Sequence, residues 1–428
     1  MSTIVVGAGV SGVFAARTLA DAGEPVMVLE ATEHMAGRAR TDRTVLLNGQ
    51  PADLGASFLD VGQNFLLNYC LKQGIALTPG VALYPPNAQG RYTAGSVLEG
   101  KVLIGRELLP HAPDGIVDEV GTAIEVTPPD PNETLMAWGR RVQLSAAAQS
   151  LVTAQAAYNP THRAEASTAG HAHPAQVGKM CWLLADGTDS IVRLAAEGLD
   201  IRCSQPVRLV HRRGKQFEVH TDSGVHQADD VVIAVSVAAS RSIGFDPVLP
   251  EWKLDQLLSV PMSQGGKVIA QYRDGDTIAS ALAPSVMTDG VFGLIWPRPV
   301  GPDDLVTVLA LLPDRHDGTL ADADALLASL DAAVGDAVGA PVTRVAGIVQ
   351  DWTSEPFIGG VVSLGTGGLA QAAVLGAPIG PLHFAGEHTA EWTTGMEAAA
   401  RSGLRVADEI LQRRNIGIGQ QLSGSSAP

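Results

Sequence analysis

Three groups of residues in this 428-residue chain have types and spacings suited to chemistry. The first is Gly7-Ala-Gly9-Val10-Ser11-Gly12, set between the apolar run Thr3-Ile-Val-Val and a helix-like stretch reaching about Ala22. In that setting Gly7 permits a tight turn, Gly9 lets backbone approach a pyrophosphate, and Gly12 lets helix pack closely on strand. Glu30 ends a second apolar run, Val26-Met-Val-Leu, at the distance where an acid accepts hydrogen bonds from a ribose. An acid there, with no small residue and arginine in its place, speaks against a ribose 2′-phosphate. The second group lies at the other end of the chain: Phe384-Ala-Gly386-Glu387, then Gly395-Met396 opening an alanine-rich helix. A strand end, a carboxylate and a helix N-terminus together can grip a flavin by its ribityl chain and pyrimidine edge. Each group alone is an ordinary connection; two halves of one nucleotide site at opposite chain ends point to FAD. The third is Lys267, followed by Val-Ile-Ala. A charge at the edge of a buried strand is costly unless it has a task, although a lysine snorkelling from a strand end fits the same residues.

The elements that must position these residues alternate in type. Residues 1–78 read as a βαβ unit with a further helix over 64–73. Pro79-Gly80, Pro85-Pro86 and Pro128-Pro129-Asp-Pro131 then mark loops and a change of domain. Residues 134–157 read as one helix with an apolar face, and the Ala/His-rich 164–175 as a loop. Helix is expected over 189–197, and short strands at 207–211, 217–221 and 231–235, separated by Gly-containing turns. Further strands are expected at 266–272, 290–296 and 305–312, followed by a helix over 321–338. No internal repeat is evident.

Composition narrows the partners. The formal charge of −16 disfavours binding to a phosphate backbone, so no nucleic acid is expected. Three widely spaced cysteines (Cys70, Cys181, Cys203) suggest neither a disulfide framework nor a zinc site, which points to a reducing, cytoplasmic setting. His171 and His173 form a His-x-His pair with no carboxylate or cysteine at ligand spacing, so no metal is expected. The N-terminus lacks a basic n-region, and its cleavage would destroy the glycine loop, which excludes a signal peptide from the reading. No apolar run is long enough to span a membrane, and the Gly/Ser-rich 416–428 reads as a flexible tail.

The chain resembles the flavin-containing amine oxidase family of monoamine and polyamine oxidases. The resemblance rests on the glycine loop and Glu30, and on Met35-Ala-Gly37-Arg38-Ala-Arg40, where Ala36 replaces the first glycine of a Gly-Gly-Arg segment. Asp53-Leu-Gly55-Ala56-Ser57, Phe384-Ala-Gly386-Glu387 and Met396-Glu397 match further family segments. It covers essentially the whole chain in order, tight at both ends and loose between about 79 and 177. It implies that Gly7, Gly9, Val10, Ser11, Gly12, Glu30, Ala31, Gly37, Arg38, Gly55, Ala56, Ser57, Val207, Gly386, Glu387, Gly395 and Met396 hold FAD, with the Val207 backbone at the adenine. Pro261-Met-Ser263…Lys267 matches the segment whose lysine holds a water at flavin N5, with Ser263 replacing a glycine, so Lys267 is the expected catalytic residue.

Departures from the family bear on the substrate. Val361 stands where some members attach flavin through cysteine, which implies non-covalent FAD. Val362 and Gly395 stand where monoamine oxidases place two tyrosines around the substrate nitrogen. The pocket is therefore expected to draw on Phe58, Trp352, Val362 and Trp392, each aromatic among them being also of a kind that packs in a core.

The expected fold is α/β: a GR2-type FAD-binding Rossmann-like domain (1–78, 178–250 and 375–415) with an interleaved α+β substrate domain (79–177 and 251–374). The expected function is oxidation of a C–N bond in a small or medium, largely apolar amine, with electrons passing to O2 and hydrogen peroxide released. Three alternatives remain open: an L-amino-acid oxidase, a dehydrogenase or desaturase using another acceptor, and a redox-inert flavoprotein scaffold. The assembly state is open, a homodimer being one option.

Overall fold

The strand Thr3–Val6 sits at the centre of a five-stranded parallel sheet in the order Asp200–Arg202, Val26–Leu29, Thr3–Val6, Asp230–Ile233, Leu382–Phe384. These coordinates are a computed structural model that describes residues 2–60, 63–79, 101–111, 115–128, 130, 135–149, 181–312, 322–364, 368–390 and 395–414. All four residues of the central strand are buried, which is why it reads as a continuous apolar run and not as an alternation. Its two faces meet different layers. Val5 packs with Val10, Val13, Met396 and Ala400 of two helices, Val10–Asp21 and Met396–Arg413. Ile4 and Val6 pack with Val210, Phe217 and Val219 of a second, four-stranded sheet. The two helices touch at backbone distance, because a Cβ on Gly403 would overlap the carbonyl of Ser11.

A seven-stranded sheet forms the other body of the fold. Its order is Arg344–Asp351, Gly266–Tyr272, Val306–Leu312, Leu294–Pro297, Val286–Thr288, Lys101–Ile104, Glu107–Leu109. The helix Ala323–Val338 covers one face through Leu326, Leu327, Leu330 and Val334, which pack on Val268, Ala270 and Tyr272. Period-two alternation then puts Lys267, Ile269 and Gln271 on the opposite face, toward Leu54, Trp296 and Trp352. A small three-stranded sheet of Leu59–Asp60, Cys181–Leu184 and Leu77–Pro79 lies between these cores.

Two sequence expectations change. The helix expected over 134–157 stops as Leu135–Arg141. Gln143 adopts φ 58°, and Leu144 N donates to Gly139 O at 2.9 Å, a closure that ends helices with a left-handed residue. Ser145 then caps a short turn at 146–149 by accepting from Ala148 N at 3.2 Å, and 150–157 fall outside the described residues. Ser145, a residue type that favours helix N-caps over helix interiors, was the available sign of this break. The strand expected at 290–296 begins only at Leu294, because the Thr288 hydroxyl accepts from Gly290 N and donates to Phe292 O, closing a turn. The loop expected at 164–175 lies outside the described residues.

Candidate functional site

The glycine loop has the shape its sequence implies. Gly7 takes φ +103° with Ala234 O 2.8 Å from the place of a Cβ, and a Cβ on Gly12 would overlap the Gly7 carbonyl. Gly9 differs: a Cβ there would meet nothing within 4 Å. Gly9 is also the N-cap of the helix Val10–Asp21 and offers no side-chain cap, so the first-turn amides of that helix have no capping side chain. An uncapped helix N-terminus with room before it suits a pyrophosphate. Glu30 is buried beside this loop, accepting from Ala8 N at 2.8 Å and from Thr32 N at 3.0 Å. The next strand end comes close to it: Gln205 N donates to Glu30 O, which brings Val207 toward the same edge, with Ala31 lying between Glu30 and Thr32.

Met35–Arg40 forms the second wall. Ala36 N donates to Ala8 O at 2.9 Å, and Ala36 itself takes φ 80°, a left-handed conformation that glycine adopts freely and alanine does not. The replacement of the first glycine of the Gly-Gly-Arg segment therefore keeps the glycine conformation. Gly37 follows at φ +50°. Arg38 Nη1 donates to Val361 O and to Glu387 Oε1, both at 3.0 Å. The Gly55 backbone presses so closely on Arg38 that a Cβ would overlap the Arg38 carbonyl, and Ala56 N donates to that same carbonyl at 2.9 Å.

Glu387 is fully enclosed. Burial pushes its carboxyl up, but Arg38, His388 and Ser363 outweigh that and hold it below the usual range. Ser363 supplies N–H at 3.0 Å and hydroxyl at 2.7 Å. Gly386, at φ +140°, is tied by its N–H to Ser402 Oγ at 2.8 Å. Gly395, at φ +85°, N-caps the helix that starts at buried Met396, again without a side-chain cap and with no atom where its Cβ would be. Two glycine-led, uncapped helix starts thus belong to helices packed against each other. Residues 391–394, Trp392 included, lie outside the described residues.

Lys267 is 3% exposed, and its Nζ donates to Asp53 O at 3.0 Å, to Ser57 Oγ at 2.7 Å and to Gly55 O. An ammonium has three donors, and the 53–57 loop engages all of them, so a water at this amine would have to share one. Burial pulls Lys267 down to about 7, Asp53 opposing and Arg298 adding to the effect. The ring of Trp296 lies 5.4 Å from Nζ. Asp53 does not itself face this region, since it accepts from Arg298 Nη1 at 2.6 Å, Thr41 Oγ1 at 2.8 Å and Thr188 N at 2.8 Å. None of these three partners was singled out from the sequence, because their spacing to Asp53 carries no motif.

The aromatics divide. Phe58 is half-buried and packs on Trp296 with centroids 4.9 Å apart. Trp352 is 2% exposed, donates through Nε1 to Leu54 O at 2.9 Å, and sits under Gly55, which gives it the surroundings of a core residue. Val361 and Val362 are half-buried and pair with Ser263, which donates its N–H to Val362 O at 2.8 Å and accepts from Val361 N at 2.9 Å. Ser263 and Val362, both departures from the family pattern, thus meet each other. Trp296, Arg298 and Ser363 are residues of this region that sequence reading missed, and it gave no role to one that it had matched to the family, Glu397. The last caps the helix Asn64–Gln73 by accepting from Phe65 N and Leu66 N at 3.0 and 2.9 Å. Among the described residues no cluster of His, Cys, Asp and Glu suits a metal, and no helix is long and apolar enough to cross a membrane. His171 and His173 lie outside them.

A family model described as flavin containing amine oxidoreductase matches residues 10–411. A Mycobacterium tuberculosis protein with the provisional name flavin-containing monoamine oxidase AofH is 28% identical, the match spanning 96% of this chain and 96% of that one. Among solved structures, a putrescine oxidase with redesigned cofactor binding superposes with TM-score 0.76 at 22% identity, over 96% of this chain and 99% of that one. Cyclohexylamine oxidase from Brevibacterium oxydans IH-35A does so with TM-score 0.75 at 20% identity, over 97% and 99%. At these identities the two structures establish likeness of fold.

Proposed function

The chain belongs to the flavin-containing amine oxidoreductase family, and from that premise we propose that it oxidises the C–N single bond of a small or medium, largely apolar amine to an imine. Water then hydrolyses the imine to an aldehyde or ketone. The cofactor in this reading is non-covalent FAD, which supplies a two-electron acceptor for hydrogen from the carbon beside nitrogen and passes the electrons to O2, giving hydrogen peroxide. The single observation that carries the reading is Lys267, a buried amine fastened to the 53–57 loop, whose Gly55 backbone lies against Arg38, the arginine that also holds Glu387.

In this reading the amides at Gly9, Val10, Ser11 and Gly12, with Gly37 and Arg38, take the pyrophosphate, and Glu30 and Ala31 take the ribose. The Val207 backbone takes the adenine. Gly55, Ala56 and Ser57 line the ring, while Gly386, Glu387, Gly395 and Met396 take its ribityl and pyrimidine side. Arg38 is then shared between Glu387 and the phosphates. Val361, in the place of a linking cysteine, supports release of intact FAD. The apolar wall around Phe58, Trp296 and Leu54 disfavours an ammonium and so favours the neutral amine that must react. Phe58, Val362 and Trp392 remain the proposed pocket residues, and Trp352 serves as the floor under Gly55. Residues 1–78, 178–250 and 375–415 form the FAD domain of this proposal, and 79–177 with 251–374 the substrate domain. Cys70, Cys181 and Cys203 form no disulfide, in keeping with a cytoplasmic setting.

The test is a panel of amines and L-amino acids added anaerobically to the purified yellow protein, followed by air and a peroxide assay. Bleaching by amines with peroxide on reoxidation supports the reading. Bleaching without peroxide moves the enzyme to the dehydrogenases, and bleaching only by L-amino acids to the amino-acid oxidases. The segment after Gly55-Ala56 carries Phe58-Leu59-Asp60 and no arginine for a carboxylate, which weighs against the last outcome.

A further inference from the structure

Glu397 is the acid in the first turn of the helix Met396–Arg413, one residue beyond Met396, and it is fully buried. An acid so placed ordinarily serves its own helix, whose start has open amides and a positive dipole end. Glu397 serves another helix. Its Oε1 accepts from Phe65 N at 3.0 Å and its Oε2 from Leu66 N at 2.9 Å. Phe65 and Leu66 are the second and third residues of the helix Asn64–Gln73, whose amides an N-cap side chain ordinarily satisfies. Gln63 holds that N-cap position without making such a bond, and donates to Asp60 Oδ2 at 3.3 Å. The cap therefore comes in trans, from an acid 331 positions beyond Leu66. Arg401 Nε, one turn further along, donates to Glu397 Oε1 at 2.7 Å from a half-buried side chain. Three donors thus hold the carboxylate, while the Gly395–Met396 end of its own helix keeps no capping side chain. Met396 and Leu66 share one core, which fixes the two helix starts against each other.

We propose that Glu397 is a positioning residue of the flavin site: anchored in trans, its carboxylate keeps a fixed negative charge beside the Met396 helix end and restrains the electron affinity that this end gives the cofactor. This rests on the reading that sets the pyrimidine side of FAD at Gly395 and Met396. In that reading the helix end favours the electron-rich, reduced ring, and a buried carboxylate one residue further on opposes it. A unit charge within about 12 Å in a protein interior shifts such an equilibrium about tenfold. The bonds to Phe65 and Leu66 also keep the carboxylate from turning back onto its own first turn, where it would compete with the cofactor for the same amides.

The experiment measures the midpoint potential of bound FAD by anaerobic dye titration. On the FAD-free protein it also reads the melting temperature and the amide exchange of Phe65 and Leu66. Glu397→Gln removes the charge, Glu397→Asp keeps it on a shorter arm, and Gln63→Ser gives the helix Asn64–Gln73 a cap of its own. Glu397→Gln should speed exchange of the two amides and raise the potential by about 30 mV, which is tenfold for a two-electron couple. Adding Gln63→Ser to it should bring exchange and melting temperature back toward wild type while the potential stays raised. Glu397→Asp should loosen the two amides and keep a potential near that of wild type. Glu397→Met combined with Gln63→Ser takes the place of the amide variant if that does not fold. A potential in the double variant equal to or below that of wild type overturns the proposal and leaves Glu397 as a helix cap. So does an equal rise in Glu397→Asp, where the charge is retained. Wild type that takes up no FAD overturns the flavin reading and the proposal with it, whereas FAD held at one potential by every variant overturns the proposal alone.

Discussion

Lys267 spends its three donors on one loop, which gives it a structural duty alongside any chemical one. Lys267→Met should strand the Asp53 and Gly55 carbonyls and cost about 1–3 kcal/mol of stability, read by urea unfolding. If the amine also serves reoxidation, stopped-flow mixing of the reduced variant with O2 should show a slower return of the flavin; an unchanged rate would leave Lys267 with the loop alone. Ala36 makes the opposite kind of prediction. It holds a left-handed φ of 80° that costs an L-residue about 1 kcal/mol or more. Ala36→Gly should therefore raise the melting temperature, the gain cut to about 0.5–1 kcal/mol by the greater freedom of glycine in the unfolded chain. A fall in melting temperature would mean that the Ala36 methyl packs better than its backbone is strained.

At the scale of elements, buried charges fasten parts that are distant in sequence. Arg298, on the seven-stranded side, joins Asp53, Leu184 O and Ala185 O, and is 6% exposed. Arg298→Leu should leave Asp53 without its cation and cost about 3–5 kcal/mol, measured by denaturant unfolding of the holoenzyme. Lys253 is fully buried and donates to Val374 O, Leu375 O and Ala377 O at 2.7, 2.8 and 2.7 Å, closing the end of the helix Gly368–Gly376. Burial lowers it to about 7 from an ordinary 10.5, Arg405 contributing and Glu409 opposing. Between those two values the unfolded chain binds more protons than the folded one, so this lysine makes stability rise with pH across that window. Wild type should therefore gain about 1–2 kcal/mol relative to Lys253→Met between pH 7 and 9. A constant difference across that range would show that Lys253 stays charged in the fold.

The whole molecule closes the proposed cofactor region from both chain ends, with strands from residues 3 to 384 in one sheet and helices from residues 10 and 396 in contact. A ligand spanning such a region couples to global unfolding. Removing FAD should lower the melting temperature, and restoring it at about 100 times its dissociation constant should return roughly 2.7 kcal/mol. FMN should restore much less, because the glycine loop, Glu30 and Val207 have nothing to hold in it. Equal rescue by FMN would mean that the adenosine half contributes little, and would return Glu30 to a role of bracing Ala8 and Thr32.

Local patterns were enough to read the parts whose physics is local. The glycine loop, the helix Asn64–Gln73, and the start of the last helix at Met396 follow from glycine conformations, apolar periodicity and chain punctuation within a few residues. The break at Gln143 was less legible, because a single left-handed residue leaves the apolar period on either side almost intact. Partnerships across the chain were not legible at all. Nothing near Asp53 in sequence indicates Arg298, 245 positions away, and nothing near Phe65 indicates that Glu397 caps its helix. The same holds for Trp352 as the floor under Gly55. Propensity and motif act over a turn or a strand, whereas burial, charge pairing and strand face are set only when distant segments pack, and those are what decide which side chains share a site.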